Sequence, residues 1–471
     1  MRATQGGTMK DLTQGPITKQ LIAMAVPIAI GMLFQTLYFL VDLLFVSRLG
    51  EAVIAGVSTA GTLTFVILAL TQMLAVGTVA LVSHAAGRKD QPEANLVFNQ
   101  AVVLSALCGV LTLAAVFLLG GPYLRSVAAD PAAAAAGSAY LYWYAPGLAL
   151  QFAMAALASA LRGTGIVQPT MVVQMLTVVL NTILAPVLIA GWLTHHPYGA
   201  AGAGLASSIA VAAGVVMLWV YFARLEHYVG LDARLWRPRV RILRRILNVG
   251  LPAGGEFLMM FVILAAIYWA IRGFGPAAQA GFGIGGRVMQ ALFLPVMAIA
   301  FGATPVAGQN YGARHFERVR ETFRKAALLS SLLMLLVTLL CQWRPELFVR
   351  VFSQQPDVVA VGALYLRIIS LNFIATGLIF TCSGLFQALG NTWPSLVSSG
   401  SRLFTFVLPA LWLSTRPGFT LRQVWYLSVA TVTLQALTSL LLLRREFHRK
   451  LDAAGAGAAA VTAAGGSGSP A

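Results

Sequence analysis

Charge is what this sequence has least of. Asp, Glu, Lys and Arg make up only 10% of its 471 residues, where a soluble domain carries about 25%. Acids are the scarcer sign, 15 against 32 bases, which leaves a net charge of +17. That excess does not mark a nucleic-acid partner, because the bases cluster in short loops between apolar runs. Cysteine is nearly absent. Cys108, Cys341 and Cys382 sit in or at the end of apolar runs, and none makes a CxxC, so neither a disulfide nor a metal site is implied. There is no Walker loop, no His/Glu metal spacing and no nucleophile elbow. An enzyme and an ATP-driven pump are both disfavoured. His195-His196 stands in an expected outer loop with no partner motif. The first apolar run is too long for a cleavable signal peptide.

What the chain has is length of apolar sequence. It is 58% hydrophobic, with a mean hydropathy of +0.80. Twelve spans are expected, at 17–47, 52–82, 94–120, 136–160, 169–193, 200–223, 247–271, 277–307, 326–343, 358–386, 394–414 and 423–443. Each is near or above the roughly 20 residues that cross a bilayer. With both termini in the cytoplasm, 22 of the Lys and Arg fall in inner segments and 7 in outer ones. That bias fixes the orientation under the positive-inside rule. The remaining three, Arg287, Arg367 and Arg402, lie within spans and need partners or room to snorkel.

The chain repeats itself. Shifted by 225 residues without gaps, Pro27 meets Pro252, Gly50 meets Gly275, Gly77 meets Gly302, and Gly165 with Pro169 meets Gly390 with Pro394. Each half holds six spans, an even number, so both enter the membrane in the same sense. The fold class is therefore an all-α polytopic membrane protein, with twelve transmembrane helices in two six-helix lobes related by a parallel internal repeat. Such repeats are a transporter plan, with the substrate site expected between the halves. The expected segments are a tail at 1–16, an amino lobe at 17–223, a basic linker at 224–246, a carboxy lobe at 247–443 and a tail at 444–471. The first tail reads as loosely ordered, and the last as disordered from Leu451. The linker, with seven Arg, reads as a segment on the cytoplasmic headgroups or as an ordinary loop. Pro27 and Pro252 fall inside spans and are the expected bends or hinges.

Polar residues inside the bilayer are expensive and point to function. Gln35, Tyr38 and Asp42 stand at i, i+3 and i+7 on one face of span 1. Asp42 is the only acid of that run. Desolvation favours its neutral form, so it suits exchange of a proton or a small cation. The plainer alternative is a carboxylate snorkelling to the interface near Arg48. Span 5 carries Gln174, Thr177 and Asn181 at the same spacing, and Asn181 is placed to hydrogen-bond Asp42. Glu256, in span 7, is the other acid well inside a span. Met259 and Met260 follow it and suit an adaptable site for apolar cations. Span 10 adds Asn372 and Thr376, then Ser383 and Gln387. The bland reading of all these stripes is structural bonding between helices, often worth only about 0.6 kcal/mol each. Offset by 225, Asp42 maps to Ile267 and Glu256 to Gly31. The scaffold is duplicated and its acids are not.

Four stretches resemble the multidrug and toxic compound extrusion (MATE) family, over about residues 15–445. They are Pro27 through Val41-Asp42 to Arg48-Leu49-Gly50; Ala160 to Gly165 with Pro169; Asn181 with Pro186; and Gly250-Leu251-Pro252 with Glu256. The nearest branch is the DNA-damage-inducible (DinF-like) one. The resemblance implies a monomeric multidrug efflux antiporter of a bacterial plasma (inner) membrane, working by alternating access. Its substrates would be small-molecule drugs or organic cations, with membrane lipids as surroundings, no nucleic-acid partner and no cofactor beyond H+ or Na+ as coupling ion. It also implies that Asp42 and Asn181, with Tyr38 and Gln35, belong to an amino-lobe coupling site, and Glu256 to a carboxy-lobe one. Glu256, Met259, Met260, Gln174, Thr177 and Asn372 are the substrate-binding candidates. Two departures favour protons. A second Asp expected four residues after Asn181 is replaced by Ala185, and span 10 has no acid. A lipid-linked precursor flippase of the same superfamily is the competing transporter. A non-transporting receptor or scaffold fits worst.

Overall fold

The computed structural model describes residues 9–128, 130–192 and 196–452; the side chains of residues 39, 42 and 43 in the first helix lie outside that description. The described residues form helices with no strand. The first half holds α1 (Ile17–Val46), α2 (Glu51–Gly87), α3 (Gln91–Val127), α4 (Pro131–Gly163), α5 (Gln168–Ile189) and α6 (Gly199–Arg224). The second holds α7 (Val240–Ile271), α8 (Pro276–Gly312), α9 (Phe316–Trp343), a short α10 (Pro345–Arg350), α11 (Pro356–Ile369), α12 (Phe373–Ala388), α13 (Trp393–Ser414) and α14 (Leu421–Phe447). Twelve stretches among the described residues are long and apolar enough to cross a membrane, with Pro356–Ala388 counting as one.

The repeat is written into the element bounds. Helices α2 and α8, and likewise α5 and α13, begin and end 225 residues apart. Gly50 and its counterpart Gly275 open α2 and α8 with φ of 102° and 86°, a region closed to most side chains. Even the two non-glycine residues with positive φ are counterparts, Lys89 and Arg314, at 58° and 61°. The halves differ where proline interrupts. Pro345 stops α9 and starts α10, while α3 runs on through the matching stretch.

Local chemistry sets the ends. Asp90 Oδ1 accepts from the Glu93 N–H at 3.0 Å and caps α3; Asp130 Oδ1 does the same for α4 through Ala133, at 2.7 Å. Proline sits in the first turn of α3, α4, α5, α8, α11 and α13, where no N–H is needed.

Contacts divide the chain into two units. The first runs to Gln14 and takes Ala23–Leu258; the second takes Gly15–Ile22 and runs on from Met259. Two helices therefore contribute to both units, α1 and α7. Within the first unit α7 lies backbone to backbone on α2. A Cβ on Gly77 would stand 2.3 Å from the Ile246 carbonyl oxygen, and one on Gly250 would stand 2.0 Å from that of Met73. Small residues permit such approach where lipid removes the hydrophobic drive between helices. The first unit's core includes Leu74, Val97, Leu141 and Phe152, with Phe98 stacked on Phe222 at 4.7 Å. The second unit's core gathers Phe282, Tyr365 and Trp425, whose rings meet at 4.9 to 5.5 Å.

Three expectations change. The segment before Pro16 is anchored from Met9 onward: Leu12 is fully buried and the Lys10 N–H donates to the Thr164 carbonyl at 3.0 Å. The linker's backbone is gripped by amide side chains of α3 instead of resting free. Asn99 Oδ1 accepts from the Asp232 N–H at 2.9 Å and from the Trp236 indole at 3.0 Å, while its Nδ2 donates to the Gly230 carbonyl at 2.8 Å. Gln100 Nε2 donates to the Leu235 and Arg237 carbonyls, and its Oε1 accepts from the Arg239 N–H. Helix α7 also starts at Val240, within the expected linker. At the carboxy end, His448–Asp452 forms one π turn with Leu451 buried. The rest of that tail, and His195, lie outside the described residues.

Candidate functional site

The amino-half stripe is built where α1 meets α5. Gly31 leaves room for Gln174: a Cβ there would lie 2.2 Å from Gln174 Oε1. Both helices are odd-numbered spans and cross in the same sense. Seven residues on from this contact, two helical turns along each helix, stand Tyr38 and Asn181. Tyr38 is half-buried and Gln35 exposed. Thr177 is buried, and its hydroxyl donates to the Gln174 carbonyl at 2.8 Å. Asn181 is completely buried, and neither its Oδ1 nor its Nδ2 has a hydrogen-bond partner among the described residues. The expected bond from Asn181 to Asp42 falls on a side chain outside the described residues. A bond left unmade by a buried group costs roughly 1–3 kcal/mol, a cost more typical of working sites than of scaffolding. Asp42 stands within α1, and its side chain lies outside the described residues. Ala185, where a second acid was looked for, is fully buried in the first unit's core.

Glu256 is half-buried on α7 within the first unit, three residues before Met259 opens the second. Met259 is half-buried and Met260 exposed. Asn372 is buried in the 3-10 turn between α11 and α12, where the Thr376 hydroxyl donates to its carbonyl at 3.1 Å. That engagement is local and structural. Pro27 and Pro252 sit inside unbroken α1 and α7, each within seven residues of the point where its helix passes from one unit to the other. No group of three or more His, Cys, Asp or Glu among the described residues could hold a metal ion.

The three arginines within spans part ways. Arg287 is exposed. Arg367 pairs with Glu346 at 3.5 Å, at a cavity of about 670 Å³ that Arg350 and Arg422 also line. Arg402 has no carboxylate partner among the described residues, and its Nε is buried without a hydrogen bond. The seam it belongs to escaped the sequence reading. Ser398 and Ser439 hydroxyls meet at 2.7 Å, and Gln435 Nε2 donates to Ser399 at 3.2 Å. The serine spacing 395, 398, 399 with Arg402 was the available signal, a single polar face on α13.

Comparison with known proteins fits this architecture. The family model described as MatE matches residues 27–187 and again 252–413, one copy per half. The probable multidrug resistance protein YpnP of Bacillus subtilis is 26% identical over 416 residues, covering 88% of this chain and 90% of its own. The multidrug export protein MepA of Staphylococcus aureus is 24% identical over 387 residues, covering 80% and 83%. A solved outward-facing conformation of a multidrug resistance MATE family transporter superposes with a TM-score of 0.87 at 25% identity, over 94% of this chain and 99% of that one. Two family matches at nearly the offset of the internal repeat, on twelve helices fit to cross a membrane, make this chain a member of the MATE family of transporters.

Proposed function

We propose that this chain exports organic compounds, cations foremost, across a bacterial inner membrane in exchange for entering protons. It acts as a single chain with both termini in the cytoplasm, as the Lys and Arg bias requires. Asp42 carries the proton in the amino half, beside Tyr38 and Asn181. Glu256 meets the substrate from α7, with Met259 and Met260 as an adaptable apolar surface.

The observation that carries the choice of ion is Ala185. Its methyl group is fully buried in the core, so that position offers no side-chain oxygen ligand. A hard cation needs several oxygens at once. A proton needs one acid in a poorly solvated place. The relatives' descriptions as multidrug resistance and export proteins support the substrate class.

Cells with and without the chain, loaded with a fluorescent organic cation, provide the test. Cells carrying it should accumulate less dye, and a protonophore should erase the difference. Equal accumulation with and without the chain would refute export. A difference that survives the protonophore would refute proton coupling.

A further inference from the structure

Helices α5 and α13 hold the same place in the two halves, residue for residue at the offset of 225. Thr177 of the amino-half stripe therefore corresponds to Arg402. A neutral hydroxyl in one half is a guanidinium in the other.

Arg402 stands in mid-membrane. At 1.5 Å per residue it lies roughly 14 Å from the start of α13 and 18 Å from its end, too deep to reach either interface. It does not face lipid. The exposed large apolar residues of α13 are Trp393, Val397, Phe404, Leu408, Leu411 and Trp412, and Arg402 lies on the opposite side with the buried Ser395, Ser398 and Ser399. Its one hydrogen bond runs from Nη2 to the Ser428 hydroxyl at 3.5 Å, at the weak limit. The Tyr365 phenol is a titratable group that acts on it. A second, independent donor waits nearby. Trp425, three residues before Ser428 on α14 and packed against Tyr365 at 4.9 Å, is 1% exposed, and its indole N–H has no acceptor.

A charged side chain at this depth costs roughly 2.5–3.5 kcal/mol on insertion scales, and is otherwise found paired. Here a guanidinium held by one weak hydrogen bond and, one turn of α14 from that bond's acceptor, a buried indole donor with no acceptor among the described residues share one neighbourhood. We infer that the Arg402–Ser428–Trp425 cluster is a subsite for a singly charged oxyanion on an apolar body. Resting on the proposed export function, it would receive the carboxylate of a zwitterionic substrate, and an anionic lipid head group offers the same chemistry. In a low-dielectric setting the attraction is strong, and Arg recognises a planar carboxylate with two parallel bonds.

The test uses the full chain in vesicles of zwitterionic phospholipid and two dyes, a rhodamine with a free carboxylate and its ethyl ester. Arg402→Gln should weaken binding of the carboxylate dye about tenfold, equivalent to ~1.4 kcal/mol, and change binding of the ester less than about twofold. Ser428→Ala, a milder change, should show the same selectivity with a smaller loss. Without ligand, Arg402→Gln should keep or raise the melting temperature, because it removes a half-buried charge that has no carboxylate partner among the described residues. If anionic phospholipid raises the wild-type melting temperature and leaves that of Arg402→Gln unmoved, the oxyanion comes from lipid. Equal losses for both dyes in both variants, or no loss in either with no lipid response, would overturn the subsite. Export of the ester by wild type, measured alongside, tests the export function separately.

Discussion

At the scale of single residues, the proposed function gives the two intramembrane acids different work. Asp42→Asn keeps size and hydrogen bonding but cannot titrate. It should abolish coupled efflux and leave substrate affinity within about tenfold, or ~1.4 kcal/mol. Glu256→Gln should weaken cationic substrates more than neutral ones, because the attraction it removes is strong in a poorly solvated place. Binding and efflux on both variants check this division; normal transport by Asp42→Asn would make Asp42 a mere interfacial carboxylate. A third acid lies outside the spans. Burial pushes the Glu226 carboxyl up from its ordinary value, against the Tyr228 N–H it accepts at 2.9 Å. A raised acid pKa means the folded chain holds its proton longer than the unfolded one. Stability then falls as pH rises from the ordinary carboxylate value through the raised one. Glu226→Gln keeps an acceptor for that N–H and should raise the melting temperature at neutral pH, with the gain vanishing in acid. Melting curves across pH decide it, and a variant no more stable at neutral pH would show the charge to be well accommodated. The acids and Asn181 were legible because polar residues stand out in an apolar run. The Gly31–Gln174 contact was not, since which helices touch leaves no period in either sequence.

At the scale of elements, the linker shows what composition leaves unsaid. Its arginines are mostly exposed, as a headgroup-facing segment requires. Yet its backbone is held by Asn95, Asn99 and Gln100 of α3, and Arg245 pairs with Glu93 at 2.9 Å. Amide side chains at the start of a helix carry no pattern that announces a distant backbone, so the grip could not be read beforehand. Asn99 makes three such bonds and is fully buried. Asn99→Ala removes all three and should destabilise by about 2–3 kcal/mol. It should also open residues 226–239 to protease, while an exposed change such as Arg237→Ala should do neither. Limited proteolysis with mass mapping reads this; an uncut linker in Asn99→Ala would show that other contacts hold it. The apolar runs placed the helices but not all their ends: α3 was expected at 94–120 and runs Gln91–Val127, because caps such as Asp90 and first-turn prolines set the ends outside the apolar stretch. The breaks at Pro345 and at the 3-10 turn Ser370–Asn372 interrupt the second half where α3 and α4 run unbroken. Pro146 inside α4 shows why the sequence misleads there: proline alone does not decide whether a membrane helix breaks.

At the scale of the whole molecule, one scaffold has been used twice and furnished differently. Bounds, glycine turns and even the positive-φ pair Lys89 and Arg314 repeat at 225 residues. Asp42, Asn181, Glu256 and Arg402 do not. Duplication preserves what the backbone needs, while polar residues inside a span are expensive and mark function by default. The proposal of proton coupling at the amino-half stripe rests on that asymmetry and on the buried methyl of Ala185. It is tested most directly on purified protein in proteoliposomes, with a pH gradient or a sodium gradient imposed alone and movement of an organic cation recorded. A pH gradient should drive transport with sodium absent, and a sodium gradient should drive none. Transport that strictly requires sodium would contradict proton coupling and place the missing oxygen ligands elsewhere in the chain.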